Sequence, residues 1–133
     1  MKIADLIKII LKEIPNGSKL YIDESIEWIF QCGALDQLKK YSIEMNYFKN
    51  DWYRYCYDLN EPCINYLIEQ LTQEDTLPNA LCHYMIAKKN VIYMEVFDGE
   101  HIGIKQSLGL SKSILSACEE SGMNVIIEEN VMI

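Results

Sequence analysis

The sequence predicts an α+β fold in which an antiparallel meander (hairpin) sheet carries several amphipathic helices packed on it. The central observation is the run over 91–97, where β-branched and aromatic residues dominate, followed by Asp98-Gly99. Such residues favour strands, and Asp-Gly supplies the two positive-φ positions of a type I′ hairpin turn. We therefore predict strands over 82–87, 91–97 and 101–105.

The first helix is predicted over residues 2–14. Its apolar side chains recur at the three- and four-residue spacing of one helix face, and charged residues lie off that face. The apolar residues are Ile3, Leu6, Ile7, Ile10, Leu11 and Ile14. Pro15-Asn16-Gly17 ends the helix, because proline cannot continue the hydrogen-bond ladder and Asn-Gly favours a turn.

Residues 19–43 leave two alternatives open. Residues 19–22 fit either a short edge strand or the approach to the next helix. Asp23 or Ser25 can cap that helix, since short polar side chains accept hydrogen bonds from first-turn amides. Gly33 either separates it from a second helical piece over 34–43 or lies inside one helix.

The most unusual part of the chain is residues 47–57, where six of the 11 residues are aromatic. A period of two places Tyr53, Tyr55 and Tyr57 on one strand face, whereas a period of 3.6 groups Trp52 with Tyr55 on a helix. We favour helix for the second half. The rings can fill space between helices and sheet, yet buried tyrosine hydroxyls need partners. Tyrosine, tryptophan and arginine are also enriched at interface hot spots.

The remaining elements are predicted from their caps. Asn60-Glu61-Pro62 opens a helix, because it combines a capping side chain, a first-turn acid and a proline where no amide is needed. A polar loop over 72–79 follows, then the meander, a helix capped by Ser111 and a strand over 124–129. A hairpin, a helix and a strand in this order favour helices on one sheet face.

Composition indicates a single domain over residues 1–133 that avoids anionic partners. The 20 acids exceed the 12 bases, which gives a formal net charge of −8. The excess is concentrated in residues 67–133, with 10 acids and 4 bases. This charge disfavours nucleic acid and anionic membranes, and it favours a basic partner.

Five cysteines are present, an odd number without a CxxC pair. We therefore expect reduced thiols and a cytoplasmic protein rather than a disulfide framework. No apolar run approaches the roughly 20 residues of a membrane-spanning helix.

The sequence shows no residue pattern typical of a catalytic site or a metal site. Cys82 and His83 are adjacent, so on a strand their side chains point to opposite faces and cannot share an ion. His101 lies beside Asp98 and Glu100, which favour its charged form over a base. We expect no metal, no cofactor and no catalytic residue. A small enzyme using a reactive cysteine and histidine is the alternative, as is a homodimeric adaptor or ligand-binding domain.

In general character the chain resembles the immunity proteins of bacterial toxin–immunity pairs. The resemblance rests on size, the charge of −8 and the tyrosine and acid content of YFKNDWYRYCYDLNE. It implies a cytoplasmic protein that binds a basic toxin, such as a nuclease, and inhibits it by occlusion. Acidic side chains would steer the toxin and aromatic anchors would slow its dissociation.

The candidate binding residues form three groups. The anchors are Trp52, Tyr53 and Tyr57, with Asp51, Asp58 and Glu61 nearby. Two other acidic patches, Glu74-Asp75 and Asp98 with Glu100, are equally plausible rims. A homo-oligomer is also compatible, because the edge of strand 124–129 can pair with a second copy.

Overall fold

A computed structural model describes residues 1–45 and 52–131 of the chain. Within these residues the helices are α1 (Ile3–Glu13), α2 (Ile26–Gln31), α3 (Glu61–Gln73) and α4 (Lys112–Glu120). The strands are β1 (Lys19–Ile22), β2 (Ser42–Ile43), β3 (Tyr55–Asp58), β4 (Tyr84–Lys88), β5 (Val91–Phe97), β6 (His101–Lys105) and β7 (Asn124–Glu128). The predicted α+β class is confirmed.

The seven strands form one sheet in the order β2-β3-β1-β4-β5-β6-β7. All neighbours are antiparallel except β6 and β7, which run parallel and are joined through α4. A parallel pair needs such a crossover, because its strands must start at the same end of the sheet. β1 lies between β3 and β4, so residues 19–22 form an inner strand and not an edge.

The predicted meander is confirmed as β4, β5 and β6. Asp98 and Gly99 have φ values of 54° and 68°, as the hairpin turn requires. The first strand begins at Tyr84 and not at residue 82. The carbonyls of Cys82 and His83 instead accept the amides of Gly99 and Asp23, outside the regular ladder.

Helices cover one face of the sheet, as the sequence predicts. Leu6 and Ile10 of α1 are fully buried, while Ile3 and Ile14 at its ends are partly buried. α1 contacts α3, and both pack on Ile22, Ile86 and neighbouring strand residues in one apolar core. Each buried leucine or isoleucine contributes about 1.5–3 kcal/mol to this face.

Gly33 separates two short helices. α2 ends near Cys32, and the next element is a 3₁₀-helix over Asp36–Tyr41. Gly33 has a φ of 79°, which an L-residue adopts only with strain, so the α-helix cannot continue through it.

The favoured helix in the aromatic stretch is wrong for its described part. Residues 46–51 lie outside the described residues, but Tyr55–Asp58 is strand β3. β3 pairs along its length with β1, from Lys19 opposite Asp58 to Ile22 opposite Tyr55. This pairing joins residues far apart in sequence, and it outweighs local periodicity.

Candidate partner-binding site

The sheet separates the predicted binding residues into two groups. Asp58 lies at the end of β3 and opposite Lys19, and Glu61 opens α3 at that same end. We call this the Asp58 end. α3 runs back along the sheet for about 20 Å, at about 1.5 Å for each of its 13 residues. Trp52 precedes β3, and Asp98 follows β5, so both lie at the opposite end, called here the Trp52 end. Asp58 and Glu61 are therefore not part of one patch with Trp52.

Tyr53 and Tyr57 are not surface anchors. Their side chains retain 6% and 1% of their exposure, and they lie on opposite faces of the sheet. Tyr57 belongs to the core under the helices, and Tyr53 to a smaller core on the other face. Desolvation by burial raises the pKa of both hydroxyls. Asp51 lies outside the described residues.

Trp52 is exposed and belongs to a three-ring group, called here the aromatic cluster, with His83 and Phe97. Its indole retains 46% of its exposure and stacks on His83 at 4.9 Å between ring centroids, with 22° between planes. Phe97 lies 4.8 Å from each of the other two rings. The cluster is thus an aromatic surface in which two rings stack and Phe97 lies tilted against both; His83 directly precedes β4 and Phe97 ends β5.

Acidic side chains border the aromatic cluster at the hairpin turn. Asp98 and Glu100 are both exposed. The Asp98 amide donates to His83 Nδ1 at 3.3 Å, and Asp98 Oδ1 lies 3.6 Å from His83 Nε2. His83 is thereby oriented by the turn, with its other ring nitrogen facing a carboxylate.

The second acidic patch also lies at the Trp52 end but is already paired. Asp75 accepts a hydrogen bond from Lys2 Nζ, which raises the pKa of the lysine. Glu74 accepts a hydrogen bond from the Thr76 hydroxyl. The Lys2 contact offsets the charge of Asp75, whereas the Thr76 hydroxyl leaves the charge of Glu74 in place.

The face opposite the helices contains a buried carboxylate. Glu95 in β5 is 8% exposed, and Tyr53 Oη donates to its Oε2 at 2.6 Å. Desolvation raises the pKa of Glu95, and Glu128 adds to this rise; the Tyr53 hydrogen bond and His83 oppose it. A charge in the middle of an apolar strand is an unusual placement.

A cleft of about 280 Å³ opens over Gly103, the residue opposite Glu95 on β6. Gly103 provides its floor, and Trp52, Phe97, Ile126 and Val131 provide apolar walls. Glu95 and Glu128 also line it, as does His101, whose Nδ1 lies 2.9 Å from the Asn124 side-chain nitrogen. The cleft is continuous with the aromatic cluster through Trp52 and Phe97, and it is a concave acidic site.

Sequence reasoning missed four residues of this site, namely His83, Glu95, Phe97 and Gly103. Two had a usable signal: a charged residue within VIYMEVF, and a glycine within a strand pattern. His83 and Phe97 come together only through the pairing of β4 with β5. Trp28, 60% exposed on α2, was also missed.

The thiols fall into two classes. Cys32 and Cys82 are exposed, and Cys56, Cys63 and Cys118 are buried. Burial raises the pKa of Cys63 to about 12, which suppresses its reactive thiolate. Among residues 1–45 and 52–131, no three histidine, cysteine or acidic side chains are grouped to hold a metal ion.

The structure thus defines an α+β domain with an acidic, aromatic cleft on its non-helical sheet face. Comparisons with family models, curated proteins and solved structures find no match to this chain. In the described part of the chain, every helix is too short or too polar to cross a bilayer.

Proposed function

We propose that the chain is a binding protein that neutralises a basic protein partner, as an immunity protein blocks a bacterial toxin by occlusion. The observation that carries the proposal is the exposed Trp52, stacked on His83 and Phe97 beside the acids of the hairpin turn. An aromatic side chain held rigid by its neighbours loses little conformational entropy when a partner covers it. Such residues dominate interface energetics.

The charge distribution supports a basic partner. Asp98 and Glu100 flank the aromatic cluster, and the whole chain carries a net charge of −8. Complementary charge raises the association rate of two proteins and makes it dependent on salt. A cytoplasmic protein with reduced thiols would meet a nuclease-like effector where that effector acts, and it requires no catalytic residue or cofactor of its own.

The test uses the candidate toxin encoded next to the gene for this chain, with binding kinetics measured at several salt concentrations. Asp98→Lys with Glu100→Lys is expected to slow association by about tenfold at low salt. Trp52→Ala is expected to accelerate dissociation by a similar factor. Glu61→Lys, an exposed acid at the Asp58 end, is the matched control and should show a smaller change. Association and dissociation rates that change neither with salt nor in the two site variants would refute the proposal.

A second candidate function is self-association through β7. This strand forms one edge of the sheet, and its Ile126 and Ile127 are exposed. An exposed edge can pair with the same edge of a second copy. Sedimentation would then show a dimer that Ile127→Lys converts to monomer, whereas the toxin-binding proposal requires no dimer.

A further inference from the structure

Gly103 is the exception among the glycines of this chain. The other five, Gly17, Gly33, Gly99, Gly109 and Gly122, have positive φ values that favour glycine. Gly103 lies in the regular ladder of β6, where any residue is allowed and glycine weakens the strand. Glycine at such a position often marks a place where another group approaches the backbone closely.

Part of the space above Gly103 is used by the chain itself. A side chain at this position would have its Cβ 3.4 Å from Val131 Cγ1. The remaining space is the cleft of about 280 Å³. This volume is at the lower end of the range of roughly 300–1,000 Å³ for pockets that hold drug-sized ligands, and it leaves room for one protruding side chain.

The lining selects for positive charge. Glu95 and Glu128 reach the cleft from β5 and β7, on either side of Gly103. Lys105, opposite Glu128, is directed to the C-terminal tail, where its Nζ donates to the Glu129 carbonyl at 2.7 Å and to Asn130 Oδ1. A carboxylate as buried as that of Glu95 is destabilised by desolvation, and a cation beside it would reverse that effect.

The lining also selects for a flat cation. Trp52 and Phe97 form one wall, and aromatic faces attract guanidinium groups by cation–π interaction and by stacking. Arginine combines this with two-pronged hydrogen bonding to carboxylates. Lysine offers only a compact charge, which is more strongly hydrated.

We propose that the cleft over Gly103 receives a single arginine side chain of the basic partner, with its guanidinium between Glu95 and Glu128 and against the rings of Trp52 and Phe97. This inference rests on the proposed function for the identity of the partner. It adds the partner residue that is recognised and the residues that recognise it. Glu95 and Gly103 each lower the stability of the sheet, and the proposal explains this loss as the cost of forming a binding site.

A peptide titration tests the cleft without the partner. The probes are acetyl-Gly-Arg-Gly-amide and the same peptide with citrulline, which keeps the shape of arginine but lacks its charge. Amide chemical shifts of the ¹⁵N-labelled chain report binding. We expect saturable shifts at Gly103 and its neighbours, with a Kd of about 1 mM, for the arginine peptide only. Equal shifts with citrulline, or shifts confined to other surfaces, would overturn the proposal.

Two variants of different kinds keep the test independent of folding defects. Gly103→Val fills the cleft and Glu95→Gln removes its buried charge; each should weaken the arginine peptide by about tenfold. Glu120→Gln, an exposed acid of α4 on the helical side, is the control and should bind as the original chain does. Normal spectra with unchanged peptide affinity in both cleft variants would refute the site.

The two proposals fail in different ways. If no basic partner exists, the kinetic experiment detects no binding, while the arginine peptide still shifts the amide signal of Gly103. If a partner binds with an affinity that Gly103→Val and Glu95→Gln leave unchanged, the proposed function stands and the arginine cleft does not.

Discussion

The Tyr53 hydroxyl donates a 2.6 Å hydrogen bond to Glu95 Oε2, on the sheet face that the helices leave uncovered. The two residues are 42 positions apart in the sequence. The bond joins a residue two positions before β3 to the middle of β5, across β1 and β4. A buried hydroxyl and a buried carboxylate thereby satisfy each other, and together they place one acid at the cleft over Gly103. This pair connects the stability of the sheet to its proposed binding function.

Replacing Glu95 by glutamine should stabilise the chain at neutral pH. Burial raises the Glu95 pKa above its usual value of 4.5, so the folded state holds this proton more tightly than the unfolded state. Stability therefore falls as pH rises from the ordinary glutamate pKa through the raised one. Glutamine has no such loss and still accepts the Tyr53 hydrogen bond.

Thermal unfolding of both proteins from about pH 4 to about pH 7 measures this effect. The melting temperature of Glu95→Gln should exceed that of the original chain by about 2–5 °C near pH 7, and the difference should shrink toward pH 4. Glu120→Gln, which changes an exposed acid, serves as the control. A difference that grew on acidification would mean that Glu95 is stabilised as the anion.

Replacing Tyr53 by phenylalanine should have the opposite effect. Glu95 would keep its burial and lose the donor that the tyrosine hydroxyl provides. An unsatisfied buried polar group costs about 1–3 kcal/mol of unfolding free energy. In a double-mutant cycle with Glu95→Leu, which removes the acceptor, the two changes should be non-additive, because each of them removes the same bond. Additive effects in denaturant unfolding would show that the bond contributes nothing to stability.

Replacing Tyr84 by phenylalanine should stabilise the helical core. The Tyr84 hydroxyl is buried and has no hydrogen-bond partner among the residues that the structure describes. The Tyr84 side chain is among those that line a cavity of about 50 Å³ with apolar walls. Removing an unpaired hydroxyl recovers about 1 kcal/mol, which denaturant unfolding can resolve. Tyr66→Phe is the control. The Tyr66 hydroxyl accepts a hydrogen bond from the Gln37 amide, so its removal should lower the free energy of unfolding.

Elements that depend on neighbouring residues, such as turns and helix caps, could be predicted from the sequence. Elements that depend on pairing with a distant part of the chain could not. The hairpin at Asp98-Gly99 follows from two residues that tolerate positive φ, and α3 follows from the Asn60 cap, whose side chain accepts the Cys63 amide. β3 depends instead on β1, some 36 positions away, since residues 19–22 pair with residues 55–58 only after the chain folds back.

The candidate site divides in the same way. The exposed Trp52 and the acids of the turn were visible in the sequence as an aromatic run and a charged hairpin. The burial of Tyr53 was not, because its partner Glu95 lies on another strand. A period of two predicts Tyr53 and Tyr57 on one face, but Tyr53 lies before the first residue of β3, so the alternation of the strand does not extend to it and the two rings lie on opposite faces of the sheet.

The five thiols should react in two groups when the folded chain is exposed to an alkylating reagent. Cys32 and Cys82 are exposed, whereas Cys63 is fully buried with its pKa raised to about 12. Alkylation requires both access and thiolate, so Cys32 and Cys82 should be modified quickly and at similar rates. Cys56, Cys63 and Cys118 should react only as fast as the folded structure around each of them opens. Mass spectrometry of peptides from a time course gives each rate, with the denatured chain as the control in which all five react. If one cysteine reacted far faster than the other four, it would be an activated nucleophile. That result would favour the cysteine-dependent enzyme over the binding role proposed for this chain.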